Sequence, residues 1–462
     1  MKCIAIDLGT SFIKSALIDV SALGEFNNCD CGCLGIDDRT VVTRIRQIRC
    51  APRKEDPDPF HYEIPADTLF SEVQTIINEY LKEDSSINGI VFSTQMHGFV
   101  LSGVLRADDT YVSWQDTRCL KKMPGTETSY LEYLGTLLSE DDMAPTGVML
   151  KPALGLCNLY ALLDERCIVE REGLTVSTLG SYIIDRLCGK NITHITNAAP
   201  LGFVDLHSRA WSLSLLEKVG LYGIVLPNIV VDMSPVGEYC YGERRVSLFP
   251  DIGDLQAAVL GCNIEQGEIL VNVGTAAQLA MVETEFIPGD YEVRPYFEGL
   301  YLNTVSRMPG GRNLDVLVSL FVEVGREIFG DPDGTSKVWN YLTCCRNETD
   351  TRGLRIDVGF YELPDRFADG SIRHIVKDNL TVRTVYAAAL RDMARVYAQY
   401  GAILNHARAY RGRFVFAGGV AWNNPMLLEA VTAETGNEVA LAPMKDEVFV
   451  GLARAVASVI GA

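Results

Sequence analysis

Ile4-Ala5-Ile6-Asp7-Leu8-Gly9-Thr10-Ser11 runs an aliphatic strand into a carboxylate, a glycine and two hydroxyls, and a second apolar run, Phe12 to Val20, follows at once. The pattern predicts a β-hairpin whose tip offers backbone N–H groups and the Thr10 and Ser11 hydroxyls to phosphate oxygens. Asp7 then stands where a Mg²⁺ on those phosphates needs an oxygen ligand. A plain hairpin, with Gly9 serving only the turn, has the same sequence. Farther along, Ile269-Leu270-Val271-Asn272-Val273-Gly274-Thr275-Ala276 repeats the pattern and runs on into Gln278 to Val282. Asn272 belongs to a copy without an acid, so only the first clasp carries a metal-side carboxylate. Two strand–turn–strand clasps roughly half a chain apart predict an internal duplication with a nucleotide in the cleft between the halves.

At 462 residues, 48% of them apolar, the chain exceeds one hydrophobic core and is expected to form two domains. A net charge of −19 argues against nucleic acid or a membrane surface as partner. An anionic nucleotide needs only local N–H groups and a metal. No apolar run reaches membrane-spanning length, and Lys2 to Asp7 reads as a core strand rather than a leader. The 13 cysteines are odd in number, and Cys3, Cys157, Cys188 and Cys262 sit in apolar runs, as reduced thiols of a cytoplasmic enzyme would. Cys29, Cys31 and Cys33 crowd five residues, but with no C-x-x-C spacing or histidine nearby they read as a polar loop tip.

Strand and helix signals alternate, the α/β pattern. Leu69, Val73, Ile76, Ile77, Tyr80 and Leu81 form one stripe of a helix over 65–82. Gly89 to Ser93 reads as a buried strand ending at Thr94-Gln95-Met96-His97-Gly98, followed by a hairpin from Phe99. Phe414 to Ala417 enters a Gly418-Gly419 turn, where bare backbone lets a flat ring approach, or which merely turns tightly; Pro425 then starts a helix with Asn423 and Asn424 as cap candidates. Asp254 stands between Gly253 and the apolar helix Leu255 to Leu260. On spacing alone it reads as a helix cap rather than a base, with Asp251 competing for the cap.

Taken together these motifs resemble the FGGY carbohydrate kinases of the actin-like ATPase superfamily. The opening clasp resembles theirs. Ser93-Thr94-Gln95-Met96-His97-Gly98 is similar to S-G-Q-M-H-G, and Trp114-Gln115-Asp116-Thr117-Arg118 to W-x-D-x-R. Ser181-Tyr182 through Asn197-Ala198, with Asp205 and Trp211, resembles a further stretch, and Gly253-Asp254-Leu255-Gln256 is similar to the G-D-x-Q that carries the base. The resemblance implies two actin-like (ribonuclease H-like) domains, 1–245 and 246–462, with a nucleotide and sugar cleft between them. It implies Asp254 as catalytic base and Asp7 on Mg²⁺. Gln95, Met96, His97, Trp114, Asp116, Arg118 and Gln256 would line the sugar pocket. Gly9, Thr10, Ser11, Gly274, Thr275, Gly310, Gly311, Gly418 and Gly419 would hold ATP. Partners would be ATP and a sugar or polyol, with a homodimer left open.

The Trp-Gln-Asp-x-Arg-Cys and Gly-Asp-Leu-Gln forms, and Gly359-Phe360-Tyr361 onward, are closer to sedoheptulokinases than to most xylulokinases. Phe12, Thr94, Val273 and Ala276 depart from the family pattern, with Thr94 expected to narrow the space behind the sugar. The readings carried forward are a ketose kinase acting on a seven-carbon ketose, a pentulose such as xylulose as runner-up, and, from other classes, an actin- or chaperone-like ATPase or a non-catalytic sugar-binding paralogue.

Overall fold

The computed structural model describes residues 1–23, 41–104, 108–331, 334–343, 350–364 and 366–460; Cys29, Cys31 and Cys33 lie outside them. The opening motif is the centre of a six-stranded sheet. β1 (Lys2–Leu8) pairs antiparallel with β2 (Phe12–Asp19), which pairs with β3 (Val42–Arg49). On its other edge β1 runs parallel to β4 (Ile87–Thr94). β5 (Gly237–Tyr241) and β6 (Arg244–Gly253) complete the order β5-β6-β4-β1-β2-β3. Ile4, Ile6, Leu8, Ile13, Ile90 and Phe92 bury one face under helix α1 (Ala66–Glu83), whose stripe Leu69, Val73, Ile76, Ile77, Tyr80 and Leu81 is the one its periodicity predicts. Each such side chain contributes about 1.5–3 kcal/mol on burial.

The second clasp builds a second six-stranded sheet. β7 (Ile269–Val273) pairs antiparallel with β8 (Ala277–Glu283), as β1 does with β2. β9 (Glu292–Pro295), β10 (Tyr301–Met308), β11 (Phe414–Ala417) and β12 (Val439–Leu441) give the order β9-β10-β8-β7-β11-β12. The five-strand path β10-β8-β7-β11-β12 has the same sequence of antiparallel and parallel neighbours as β3-β2-β1-β4-β6. The two halves therefore repeat one topology, the duplication read from the two clasps.

The expected division after residue 245 falls at the beginning of β6, which stays in the first sheet because Leu248, Ile252 and Gly253 pair along β4. The chain leaves that sheet only through helix α2 (Asp254–Gly261). α2 is crossed by the helix Glu447–Ile460, whose Phe449, Val450, Leu452 and Ala453 pack with Cys3, Ala5 and Val91 of the first sheet. The crossing is close because it is made of glycines. A Cβ on Gly261 would strike the Glu447 carbonyl, and one on Gly451 the Ala257 carbonyl.

A cap is inserted into the first half. Glu63–Pro65, Thr110–Val112, Phe99–Ser102 and Thr175–Ser177 form a four-stranded antiparallel sheet, and Tyr130–Leu137 and Gly155–Glu165 pack beside it. No described helix is long and apolar enough to cross a membrane.

Candidate active site

Strand register brings the acids together. Leu8 of β1 and Gly253 of β6 both pair with Thr94 of β4, so Asp7 and Asp254 stand at the same edge of the first sheet. Burial pushes the Asp7 carboxyl up to about 7, and the neighbouring charge of Asp254 adds to the rise; Ser93 and Lys14 oppose it. Asp254 is raised as well, by burial, against the Leu255 N–H and the Arg294 guanidinium. Two carboxylates facing one space resist joint ionisation, and a cation would relieve both. Asp254 is the first residue of α2 with Gly253 before it, and its Oδ1 accepts from the Leu255 N–H at 2.8 Å. Asp251 is no cap. It lies inside β6, buried, and accepts from Thr178 Oγ1 (3.0 Å), His194 N (3.2 Å) and Asn197 Nδ2 (2.8 Å).

The Gln95–Gly98 turn follows β4 into the same space. Gln95 is turned toward the first clasp, with Nε2 at 3.4 Å from the Gly9 carbonyl and Oε1 at 3.4 Å from Thr10 Oγ1. The Thr94 hydroxyl accepts from Asn197 Nδ2 at 2.7 Å, so it fills the space behind the turn by anchoring Asn197. His97 adopts a positive φ of 69°. Its Nδ1 lies 2.8 Å from the Pro200 carbonyl, which can only accept, so Nδ1 carries the proton and Nε2 accepts from Arg294 Nη2 at 3.2 Å. Burial, with the Lys151 and Arg294 charges, keeps the imidazole neutral. Both ring nitrogens are thus occupied by protein.

Asp116 and Arg118 differ more from expectation. Asp116 is 0% and Arg118 1% exposed, and neither lines an open cleft. Asp116 accepts from Tyr62 N (2.7 Å), Arg118 N (3.1 Å), Nε (2.8 Å) and Nη2 (2.7 Å), which leaves its carboxylate saturated. Arg118 also reaches Glu63 at 2.7 Å. A buried ion pair is kept charged only when its hydrogen bonds are complete, and this one is closed on itself. Its effect is to set the loop that carries Trp114. That ring is 40% exposed, and its Nε1 donates to Thr10 Oγ1 at 3.0 Å. Trp114 therefore joins the cap to the first clasp.

The remaining glycines meet at the second sheet. The Gly311 N–H donates to the Gly274 carbonyl and the Arg312 N–H to the Thr275 carbonyl, both at 2.9 Å, so helix Gly311–Phe329 is stapled to the second clasp. Gly310 packs on the Ala276 backbone with no room for a Cβ, and Gly311 lies against Val420, next to Gly418-Gly419. Gly418 has φ +86°, and a Cβ there would meet Asn272 Oδ1 and the Val273 carbonyl, which leaves only glycine suitable. Pro425 does begin a helix, but Asn424 binds Tyr386 Oη at 2.7 Å rather than capping it.

Residues the sequence did not single out complete the space. Arg294, on β9, reaches into the first half to His97, and Lys151 of the cap pairs with Glu292 of β9. Against the cost of burial, Lys151 and Arg294 hold Glu292 well below the usual carboxylate range. The Val293 N–H donates to the Gly147 carbonyl at 2.8 Å, so the outer edge of β9 is docked on the cap. The available signal was the alternation Glu292-Val293-Arg294-Pro295, which puts an acid and a base on one face of a short strand.

Mus musculus sedoheptulokinase is 23% identical over 428 residues, covering 85% of this chain and 84% of that protein. The ligand-bound xylulose kinase from Lactobacillus acidophilus has the same fold, with a TM-score of 0.78 at 17% identity over 100% of this chain and 89% of that one. Plasmodium falciparum glycerol kinase, solved with ADP, gives a TM-score of 0.76 at 15% identity over 99% and 90%. Residues 41–245 match the N-terminal domain of the FGGY family of carbohydrate kinases. With these likenesses, residues 41–245 carry the N-terminal domain of the FGGY family of carbohydrate kinases, and the chain is a sugar kinase.

Proposed function

We propose that this kinase moves the γ-phosphoryl group of ATP to a terminal hydroxyl of a ketose, with the seven-carbon ketose sedoheptulose as first acceptor. The observation that carries the transfer is the meeting of Asp7 and Asp254 at one sheet edge beside the Gln95–Gly98 turn. The similarity to mouse sedoheptulokinase over most of both chains favours the seven-carbon acceptor, and the fold likeness to a xylulose kinase supports a pentulose as second reading.

In this reading Asp254 takes the proton of the acceptor hydroxyl as its oxygen bonds to the γ-phosphorus and the bond to the β–γ bridging oxygen breaks, releasing ADP. Asp7 suits Mg²⁺: it is a half-buried carboxylate raised by desolvation and by a second carboxylate, and a phosphate-bound Mg²⁺ needs few protein ligands. Such an ion neutralises charge on the phosphates when bound. The first clasp, Gly9 to Ser11, and the second, Gly274-Thr275, hold the phosphates from opposite halves. Gly310-Gly311 and Gly418-Gly419 form the nucleoside floor. The first half, through β6, then carries acceptor and base, and the second carries the nucleoside.

A coupled ADP assay with MgATP and a panel of C3 to C7 polyols and ketoses tests the reading. Stimulation greatest with sedoheptulose is expected. ADP release indifferent to any acceptor marks an ATPase, and none at all marks a non-catalytic paralogue.

A further inference from the structure

Arg294 is 3% exposed and reaches across the cleft from β9. Its Nη2 is shared between Glu292 Oε2 (2.9 Å) and His97 Nε2 (3.2 Å), and its Nη1 rests on the Met96 sulfur at 3.6 Å. Its Nε has no hydrogen-bond partner. Gln256, two residues beyond Asp254, donates Nε2 to the Pro295 carbonyl at 3.3 Å, next to Arg294, while its Oε1 is buried and also without a partner. A Cβ on Gly253 would touch both Gln256 Oε1 and the Met96 sulfur, so the unused acceptor lies beside the methionine that Arg294 touches through Nη1. Buried polar atoms left unpaired are costly, about 1–3 kcal/mol each, and a pair of opposite type beside a proposed base is a place for a ligand.

We propose that Arg294 is a specificity-determining residue of the acceptor site, its Nε donating to the carbonyl oxygen of an α-hydroxyketone while Gln256 Oε1 accepts from the adjacent carbinol. The inference rests on the ketose-kinase reading and names which part of the ketose is recognised. It follows from what the first half cannot supply: both His97 nitrogens and the whole Asp116–Arg118 pair are already engaged. Arg294 offers a free donor from the second half, so the acceptor site includes β9 docked on the cap.

The test compares wild type, Arg294→Met and Arg294→Lys on a ketose and on the alditol made by reducing its carbonyl, sedoheptulose and its alditol first, xylulose and xylitol second. Met keeps the length of the side chain, and Glu292 retains Lys151, so the buried acid is not stranded. Wild type should prefer the ketose. Arg294→Met should cut the ketose-to-alditol ratio of kcat/KM by about tenfold or more, chiefly through KM, with partial recovery in Arg294→Lys. Equal losses on both substrates, or an unchanged ratio, would overturn the role of Arg294. A wild type that phosphorylates neither ketose would instead overturn the ketose reading itself, and circular dichroism and ATP binding by each variant separate either result from misfolding.

Discussion

Asp116 and Arg118 show how one residue pair can satisfy a motif and still do another job. The W-x-D-x-R spacing was legible, but the partners Glu63 and Tyr62 lie some fifty residues upstream and reach the pair only through the cap sheet. Nothing in a linear sequence signals that closure. Arg118→Met would leave the buried Asp116 carboxylate without its guanidinium, while Glu63 keeps Arg166, at about 3–5 kcal/mol. Urea unfolding should show that loss. Unchanged stability with a raised sugar KM would return the pair to the pocket. Asp7 makes a pH-dependent prediction. Its folded-state pKa, about 7, lies above the value near 3.9 of an unfolded chain, so between those values the native state binds the extra proton. Stability without nucleotide then falls as pH rises through that window and levels off above it. Asp7→Asn removes the fall. Relative to wild type it should gain on the order of 3 kcal/mol between pH 4 and pH 8, read from thermal melts at fixed ionic strength. A difference that does not change with pH would show that Asp7 is not the raised acid described.

Elements were legible in proportion to their periodicity. The helix Ala66–Glu83 was visible because its apolar stripe repeats over several turns, and both clasps because strand and turn chemistry agree. β9 was not: its alternation runs over only four residues, too few to mark a strand. The helix crossing was hidden for a related reason. Inside a helix, Gly451 reads as a weak spot, and Ala there should add about 1 kcal/mol. The structure reverses that sign, because a Cβ would collide with the Ala257 carbonyl. Gly451→Ala should therefore lower stability by roughly 2 kcal/mol and reduce turnover, since α2 carries Asp254 at its start. A stabilised variant in calorimetry would mean that the helices do not cross at that distance.

At the scale of the molecule, duplication explains why two clasps of one pattern do different work. The repeated sheet supplies two equivalent edges, and only the first ends in acids, Asp7 and Asp254, where the second has Asn272. The echo between the copies was readable in the sequence. That β6 and the base belong to the first sheet was not, because a strand's partner is set by register rather than by its order in the chain. Docking of β9 on the cap then brings second-half side chains to first-half chemistry. In the proposed function this arrangement transfers a phosphoryl group to an acceptor rather than to water, with Asp254 as base. Phosphorus NMR of the reaction with MgATP and sedoheptulose, run on wild type and Asp254→Asn, tests it most directly. One phosphate monoester of the sugar is expected for each ADP in wild type, with a rate lower by about 10²–10⁴-fold in the variant. Inorganic phosphate in place of the ester, or a variant that keeps more than about a tenth of the rate, would contradict it.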